Sequence, residues 1–176
     1  MRLPKGVVLS LLAVLAGGFV FTFGGSAVLQ YTNTTAFCAS CHSMDTVAAE
    51  YRQSAHVSNA SCADCHVPQS LGPMLKAKLF AAKDVYHEVV GTIDTVDKFE
   101  AWRWKLANVV WDKMTAADSW ECRACHTFTA MDYENQARRV ARRHRRAEQE
   151  GETCIACHKG VAHTEPLPPT ATVSLP

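Results

Sequence analysis

The feature that most constrains this 176-residue chain is the signature Cys-x-x-Cys-His, which occurs four times and uses all eight cysteines. This spacing is typical of c-type haem attachment, in which two thiols bond to the porphyrin and the adjacent histidine can ligate the iron. The repetition predicts four covalently attached c-type haems. The attachment cysteines would be Cys38, Cys41, Cys62, Cys65, Cys122, Cys125, Cys154 and Cys157, and the adjacent histidines are His42, His66, His126 and His158.

Other uses of paired cysteines fit this pattern less well. A zinc ribbon needs no histidine directly after each cysteine pair, and four identical two-residue loops would make an unusual disulfide framework. A thioredoxin-like site needs one Cys-x-x-Cys near a strand-helix-strand pattern, which the sequence lacks. We therefore expect a mainly α fold, with short helices and loops around a core that is largely porphyrin. The net charge of +1 neither favours nor excludes a charged partner.

An uncharged, mostly apolar stretch at residues 6–30 follows a basic start that contains Arg2 and Lys5. As a helix rising about 1.5 Å per residue, it would span the lipid hydrocarbon layer of roughly 30 Å. The alternative is a cleaved signal peptide, but a signal core has only about 7–15 residues. We expect residues 1–30 to form an uncleaved, single-pass anchor in a bacterial cytoplasmic membrane. Its N-terminus would lie inside, because basic residues stay cytoplasmic.

The remainder divides into a haem domain at 31–165, expected in the periplasm, and a proline-rich tail at 166–176. The haem domain reads as two duplicated two-haem units at about 38–90 and 97–165, since each has a motif, a helix delivering a histidine, and a second motif. Helical periodicity predicts helices at 44–55, 74–90, 97–115 and 132–150. The Gly72-Pro73 pair is expected to break the chain before the second helix.

Two of these helices carry side chains of possible function. The helix at 74–90 has two faces: an apolar stripe of Leu75, Leu79, Ala82, Tyr86 and Val89, and a second face of Lys76, Phe80, Lys83, Asp84 and His87. That second face is either solvated surface or a site. The helix at 132–150 carries six arginines, which we expect to face solvent, and the anchor excludes a nucleic-acid role. Its single apolar stripe includes His144, which should point inward as a buried iron ligand would.

The histidine count bears on iron ligation. Four haems with two histidines each need eight, and the chain has eight: the four in the motifs, and His56, His87, His144 and His163. Met44 complicates this count, because its thioether lies two residues after His42 and could replace that imidazole on the first iron. A methionine ligand raises the haem potential. The residues alone leave open which of His42 and Met44 binds.

Several stretches together carry a family resemblance. They are the apolar anchor, Cys-x-x-Cys-His-Ser-Met44, Asp-Cys-His-Val-Pro68, residues 91–100, residues 118–126 and Cys-His-Lys-Gly-Val-Ala-His163. With these, the chain resembles the NapC/NirT family of membrane-anchored tetrahaem quinol dehydrogenases, which includes the small subunit of the cytochrome c nitrite reductase complex. The likeness covers nearly the whole chain except the proline-rich tail.

The resemblance implies a function in anaerobic respiration. Electrons would pass from the membrane quinol pool (menaquinol or ubiquinol) through the first haem to a periplasmic nitrate, nitrite or similar reductase, or to an electron-accepting cytochrome. Met44 would ligate the first haem, and Asp84 would lie at its open side beside a lysine of the quinol pocket. For that lysine, helical phase favours Lys76 over Lys78. Asp84 or His87 could take a quinol proton as a general base.

The resemblance also pairs His163 with His66 on the second haem and His56 with His126 on the third. The chain departs from the family after the second motif, where many members have a histidine and this chain has Gln69. The sixth ligands of the first and fourth haems therefore stay open among His144, His87 and a partner protein. Two other functions also stay open: direct reduction of a small nitrogen compound, and passive anchoring of a soluble redox enzyme.

Overall fold

The computed structural model describes residues 4–169, so the expectations for Arg2 and for the end of the tail lie outside the described residues. Within 4–169 the chain forms helices and no strands, which confirms the predicted fold class. The α-helices of this part are α1 (Lys5–Tyr31), α2 (Thr35–Cys38), α3 (Asp45–Gln53), α4 (Cys62–His66), α5 (Leu71–Val89), α6 (Val96–Ala116), α7 (Trp120–Arg123) and α8 (Arg138–Glu150). Short 3-10 helices cover His42–Met44, Phe128–Ala130 and Cys154–Ala156.

Helix α1 is, within residues 4–169, the one helix long and apolar enough to cross a membrane. It has 27 residues, none of which is buried against the rest of the protein. At about 1.5 Å per residue, its length of roughly 40 Å exceeds the hydrocarbon thickness of a bilayer. Helix α1 therefore fits a single-pass membrane anchor.

Helix α6 lies at the centre of the haem domain. It contacts both the 3-10 helix His42–Met44 and the 3-10 helix Cys154–Ala156, so the first and fourth motifs pack on one element. Phe99 and Trp111 are its buried side chains, and the Trp104 and Trp111 rings meet edge to face at 5.8 Å. The other apolar residues that the described protein buries are Ala48, Tyr51, Ala63, Ala141 and Ile155. So small a set agrees with a core that porphyrin completes.

A buried serine joins the third motif to the fourth. Asp118 and Ser119 both have left-handed backbone conformations, with φ of 53° and 48°, and they turn the chain between α6 and α7. The Ser119 side chain is fully buried, and its Oγ accepts a hydrogen bond from the Ile155 backbone N–H at 3.2 Å. Because left-handed backbone is costly for residues other than glycine, this turn is held by its surroundings.

Two predicted helix starts are wrong. Helix α5 begins at Leu71 and includes Gly72 and Pro73 in its first turn, because the first-turn N–H groups have no intrahelical partners and proline costs nothing there. Helix α8 begins only at Arg138. The Asp132 carboxylate accepts hydrogen bonds from the backbone N–H groups of Glu134 and Asn135 at 3.1 and 3.2 Å, which favours a turn over a helix.

Candidate haem sites

The four motifs follow one another in space as they do in sequence. Helix α2, which ends at Cys38, contacts α4 of the second motif, and α4 contacts α7 of the third. The neighbouring Cys62 thiol, together with burial, raises the pKa of Cys38, and burial, together with the Cys154 thiol, raises the pKa of Cys122. None of the eight cysteines forms a disulfide. The motifs therefore form a continuous row, with neighbours close enough for direct contact.

Six of the eight histidines lie in three close pairs. The ring centroids of His66 and His163 are 6.2 Å apart, and those of His56 and His126 are also 6.2 Å apart. His144 and His158 are 5.9 Å apart, with ring planes 25° from parallel. Each pair joins one motif histidine to one histidine from elsewhere in the chain.

The spacing of these pairs fits an iron between the two rings. A bond from a metal to an imidazole nitrogen is about 2.0–2.1 Å long, and the ring centre lies about 1 Å beyond that nitrogen. Two imidazoles on opposite sides of one iron should therefore have centroids about 6 Å apart, as the pairs do. Porphyrin supplies the other four ligands of a haem iron, so the protein needs to provide only two.

The protonation of the His66–His163 pair also suits iron binding. Burial lowers the pKa of His66 to about 4, with smaller contributions from His163 and Lys113. Burial likewise lowers the pKa of His163, although Glu50 opposes this shift. Both rings are therefore neutral at physiological pH, and the neutral ring is the form that binds a metal. The Nδ1 atoms of His56 and His163 are buried, and neither has a hydrogen-bond partner within residues 4–169.

The pair at the fourth motif, His144 with His158, is oriented by a residue that the sequence did not single out. Gln136 Oε1 lies 2.7 Å from His144 Nδ1, so this ring nitrogen can donate to the amide oxygen. A hydrogen bond of this kind fixes the orientation of a ligating imidazole and leaves its other nitrogen free for the metal. Gln136 lies before the first turn of α8, in the stretch predicted from the sequence to belong to that helix, and no pattern in the sequence marks it as a partner of His144.

A partly buried ion pair holds the segment that carries His163. Arg103 Nη2 donates to Glu50 Oε2 at 2.6 Å and to the Thr164 carbonyl at 2.9 Å, and the Thr164 N–H donates to the same Glu50 oxygen at 3.2 Å. Partial burial acts to raise the pKa of Glu50, but the hydrogen bonds from Arg103 and Thr164 outweigh it and lower the pKa overall. Glu50 and Arg103 thus tie α3, α6 and the C-terminal segment together.

We expect Glu50→Gln to loosen His163 and to convert part of the second haem from low to high spin at pH 7. The substitution weakens charge-assisted hydrogen bonds, each of which contributes about 1.5–3 kcal/mol. Because folding lowers the pKa of Glu50, its contribution to the free energy of unfolding is complete above the ordinary carboxyl pKa. It is lost as pH falls through the lowered pKa of the folded protein. Absorption spectra against pH measure the effect. Glu100→Gln is the matched control, since Glu100 pairs with the same Arg103 and makes no contact with Thr164; an equal effect in both variants would contradict this role.

The first motif differs from the other three. Within the described residues His42 faces no second imidazole; its side chain is 86% exposed and lies 3.7 Å from the Asp45 carboxylate. Met44, two residues later, is half-buried. His87 has a buried Nδ1 with no hydrogen-bond partner within residues 4–169, and its nearest aromatic ring is that of Tyr86. The structure therefore brings neither His42 nor His87 into an imidazole pair.

Helix α5 packs beside this first motif and beside the end of α1. Lys78 Nζ donates to the Thr32 carbonyl at 3.0 Å and to Thr32 Oγ1 at 2.8 Å, just after α1 ends. The buried Ser43 hydroxyl donates to Glu88 Oε2 at 2.6 Å. By contrast, Lys76 and Asp84 are exposed. Of the two lysines considered for the quinol pocket, the structure brings Lys78 to the first motif and leaves Lys76 on the surface.

Comparison with known proteins agrees with this arrangement. The model of the NapC/NirT cytochrome c family, N-terminal region, matches residues 2–168. A tetraheme cytochrome-c type protein of Allochromatium vinosum is 53% identical, over 92% of this chain and 90% of its own. The denitrification system component NirT of Stutzerimonas stutzeri is 43% identical, over 89% and 81% of the two chains.

Two further relatives bear related names. The cytochrome c-type protein NapC of Escherichia coli is 42% identical, over 94% of this chain and 86% of its own. The cytochrome c-type protein TorY of the same species is 48% identical over 92% of this chain, which spans 45% of that longer protein. No solved structure matches the chain. The chain belongs to the NapC/NirT cytochrome c family, and its four Cys-x-x-Cys-His motifs carry four c-type haems.

Proposed function

We propose that this cytochrome oxidises quinol at the outer surface of the cytoplasmic membrane and passes the electrons to a periplasmic reductase or electron-accepting cytochrome. The observation that carries the proposal is the short connection between α1 and the first motif. Only residues 32–37 separate Tyr31, at the end of α1, from Cys38, and Lys78 of α5 bonds back to Thr32. A haem on Cys38 and Cys41 would therefore lie beside the lipid in which quinol dissolves.

The proposed iron ligands follow the ring pairs. We assign His66 with His163 to the second haem, His56 with His126 to the third, and His144 with His158 to the fourth. The centroid distances of 5.9–6.2 Å support all three assignments. For the first haem we assign Met44 in place of His42, because Met44 is half-buried and His42 points to solvent.

This ligand set divides the haems by role. The second, third and fourth irons each have an imidazole pair, which leaves no open position for a small substrate. Such haems suit electron transfer along the row of motifs, and they argue against direct reduction of a nitrogen compound. The first haem, with one protein ligand assigned, would be open on the side where the quinol site is proposed.

Quinol oxidation also needs a path for protons. A quinol that becomes a quinone loses two electrons and two protons, so a base must stand near the site where the electrons leave. Asp84 and His87 on α5 are the proposed bases. Lys78, which already bonds to Thr32, is better placed than Lys76 to donate a hydrogen bond to a quinol oxygen. The exposure of Asp84 leaves it free to pass protons to water on the periplasmic side.

The topology forms part of the same proposal. We place the N-terminus in the cytoplasm, α1 across the membrane without cleavage, and the haem domain in the periplasm. N-terminal sequencing of the membrane-bound protein checks this placement. A mature chain that begins near Gly18 or Ala27 would remove the anchor and, with it, quinol oxidation.

Mixing the purified protein with a quinol analogue tests the function. We expect the haems to become reduced without any partner protein, and the reduced protein not to consume nitrite or hydroxylamine. Haems reducible by dithionite and not by quinol would indicate a passive anchor. Turnover of nitrite by the isolated protein would indicate a reductase instead.

A further inference from the structure

Helix α5 has an apolar face that the rest of the described protein leaves uncovered. Its residues recur at helical spacing, and their exposed fractions range from 42% to 79%. They are Leu71, Leu75, Leu79, Tyr86 and Val89, and we name them the α5 stripe. Single exposed apolar residues are common on protein surfaces, but a contiguous stripe of this size indicates an interaction site.

The first motif is not what covers this stripe, because α5 meets that motif with other side chains. Glu88 receives the hydrogen bond from Ser43 of the first motif. Met74 Sδ accepts a hydrogen bond from Asn33 Nδ2 at 3.7 Å, and Lys78 bonds to Thr32. At 100° per residue, Met74, Lys78 and Glu88 point to one side of the helix, and the α5 stripe is centred about a quarter turn away. A haem on the first motif and the α5 stripe are therefore on different sides of α5.

The position of α5 brings its stripe to the level of the membrane surface. Thr32 and Asn33 directly follow α1, so the first half of α5 is fixed where the anchor leaves the lipid. Lysines flank the stripe on both sides: Lys76 and Lys83 on one, and Lys78 on the other. Lysine side chains at such positions lay their methylene stems on apolar surface and place the ammonium group among lipid headgroups. An apolar face bordered by lysines is typical of helices that lie in a membrane interface.

We infer that α5 is an interfacial helix that lies along the outer surface of the membrane with its stripe in the boundary between headgroups and acyl chains. The occupant of the apolar face is thus phospholipid, and the protein has a second membrane contact beside α1. This inference rests on the uncleaved anchor of the proposed function. Its consequence is positional: two contacts, α1 and α5, fix the tilt of the haem domain relative to the membrane.

Lipid labelling of the full-length haem protein tests this inference. The protein is reconstituted into phospholipid vesicles that contain a phospholipid with a photoactivatable diazirine in its acyl chain, and adducts are located by mass spectrometry after illumination. We expect adducts on α1 and on the α5 stripe, with Leu79 and Tyr86 among the labelled positions. Adducts on α1 alone would overturn the interfacial helix and leave the anchor intact. Adducts on neither helix would contradict the anchor itself.

A pair of variants makes the test specific to the stripe. In Leu79→Glu/Val89→Glu, two carboxylates replace exposed apolar side chains, and we expect the adduct yield on α5 to fall at least about 10-fold while α1 labelling is unchanged. Phe80→Glu is the control: it also replaces an exposed apolar side chain of α5 with a carboxylate, but outside the stripe, and it should keep the wild-type yield. The four-haem absorption spectrum reports folding of each variant. If a soluble protein covers the stripe instead, wild-type α5 stays unlabelled in vesicles, and the inference fails.

Discussion

The substitution Asp84→Asn is expected to slow reduction of the haems by quinol about 100-fold or more, because a positioned general base contributes about 10²–10⁴-fold to a proton-coupled step. Asparagine keeps the shape of aspartate but cannot take the proton that quinol must release. The measurement is stopped-flow absorbance at the haem bands after mixing with a quinol analogue under anaerobic conditions.

Reduction by dithionite separates this role from a structural one, since dithionite delivers electrons without quinol deprotonation. We expect its rate to be the same in Asp84→Asn and the unmodified protein. Asp97→Asn is the matched control: Asp97 is also an exposed carboxylate, at the start of α6, and its loss should change neither rate. A parallel fall in the quinol and dithionite rates would mean that Asp84 supports the haem fold. Unchanged rates would make the Asp84 face of α5 ordinary solvated surface.

The substitution His144→Ala is expected to convert the fourth haem, and no other, from low to high spin. The His144 ring lies 5.9 Å from that of His158, and Gln136 holds its other nitrogen, so alanine at this position removes the imidazole proposed as the second ligand. Electron paramagnetic resonance should show one low-spin signal lost and one high-spin signal gained. Loss of the ligand also leaves an open iron, so the variant should bind cyanide at the fourth haem as well as at the first.

Controls for this experiment are available on the same helix. Arg142→Ala removes an exposed α8 side chain, and its spectra should match those of the parent protein. Gln136→Ala should leave the fourth haem low-spin but shift its signal, because the imidazole keeps its bond and loses its orienting partner. An unchanged number of low-spin haems in His144→Ala would mean that His144 is an ordinary packed histidine and not an iron ligand.

The sequence was most informative where chemistry demands a fixed local spacing. Four Cys-x-x-Cys-His motifs predicted the haems, a continuous apolar stretch located α1, and apolar periodicity placed α6 to within one residue at each end. The inward direction of His144 was also readable, because the rest of α8 is strongly polar. These features depend on neighbours along the chain.

Features that depend on distant contacts could not be predicted in this way. Helical phase favoured Lys76 for the quinol pocket, yet Lys78 is the lysine that reaches Thr32, because the packing of α5 on the anchor decides which side faces inward. The α5 stripe has the pattern of a core-facing helix and is nevertheless exposed, since periodicity does not say whether protein or lipid covers an apolar face. The Glu50–Arg103 pair acts across a long sequence separation, and Gln136 acts through a turn before α8; no motif records either contact.

The proposed function depends above all on a first haem that differs from the other three, since electrons must enter at an iron open to the quinol site and move on through closed ones. Electron paramagnetic resonance of the oxidised protein in membranes tests this most directly. We predict three low-spin signals from the bis-histidine haems of the second, third and fourth motifs, and a distinct high-spin signal from the haem of the first motif that changes in Met44→His while the other three do not. Four equivalent bis-histidine signals would contradict the division between one entry haem and three conducting haems.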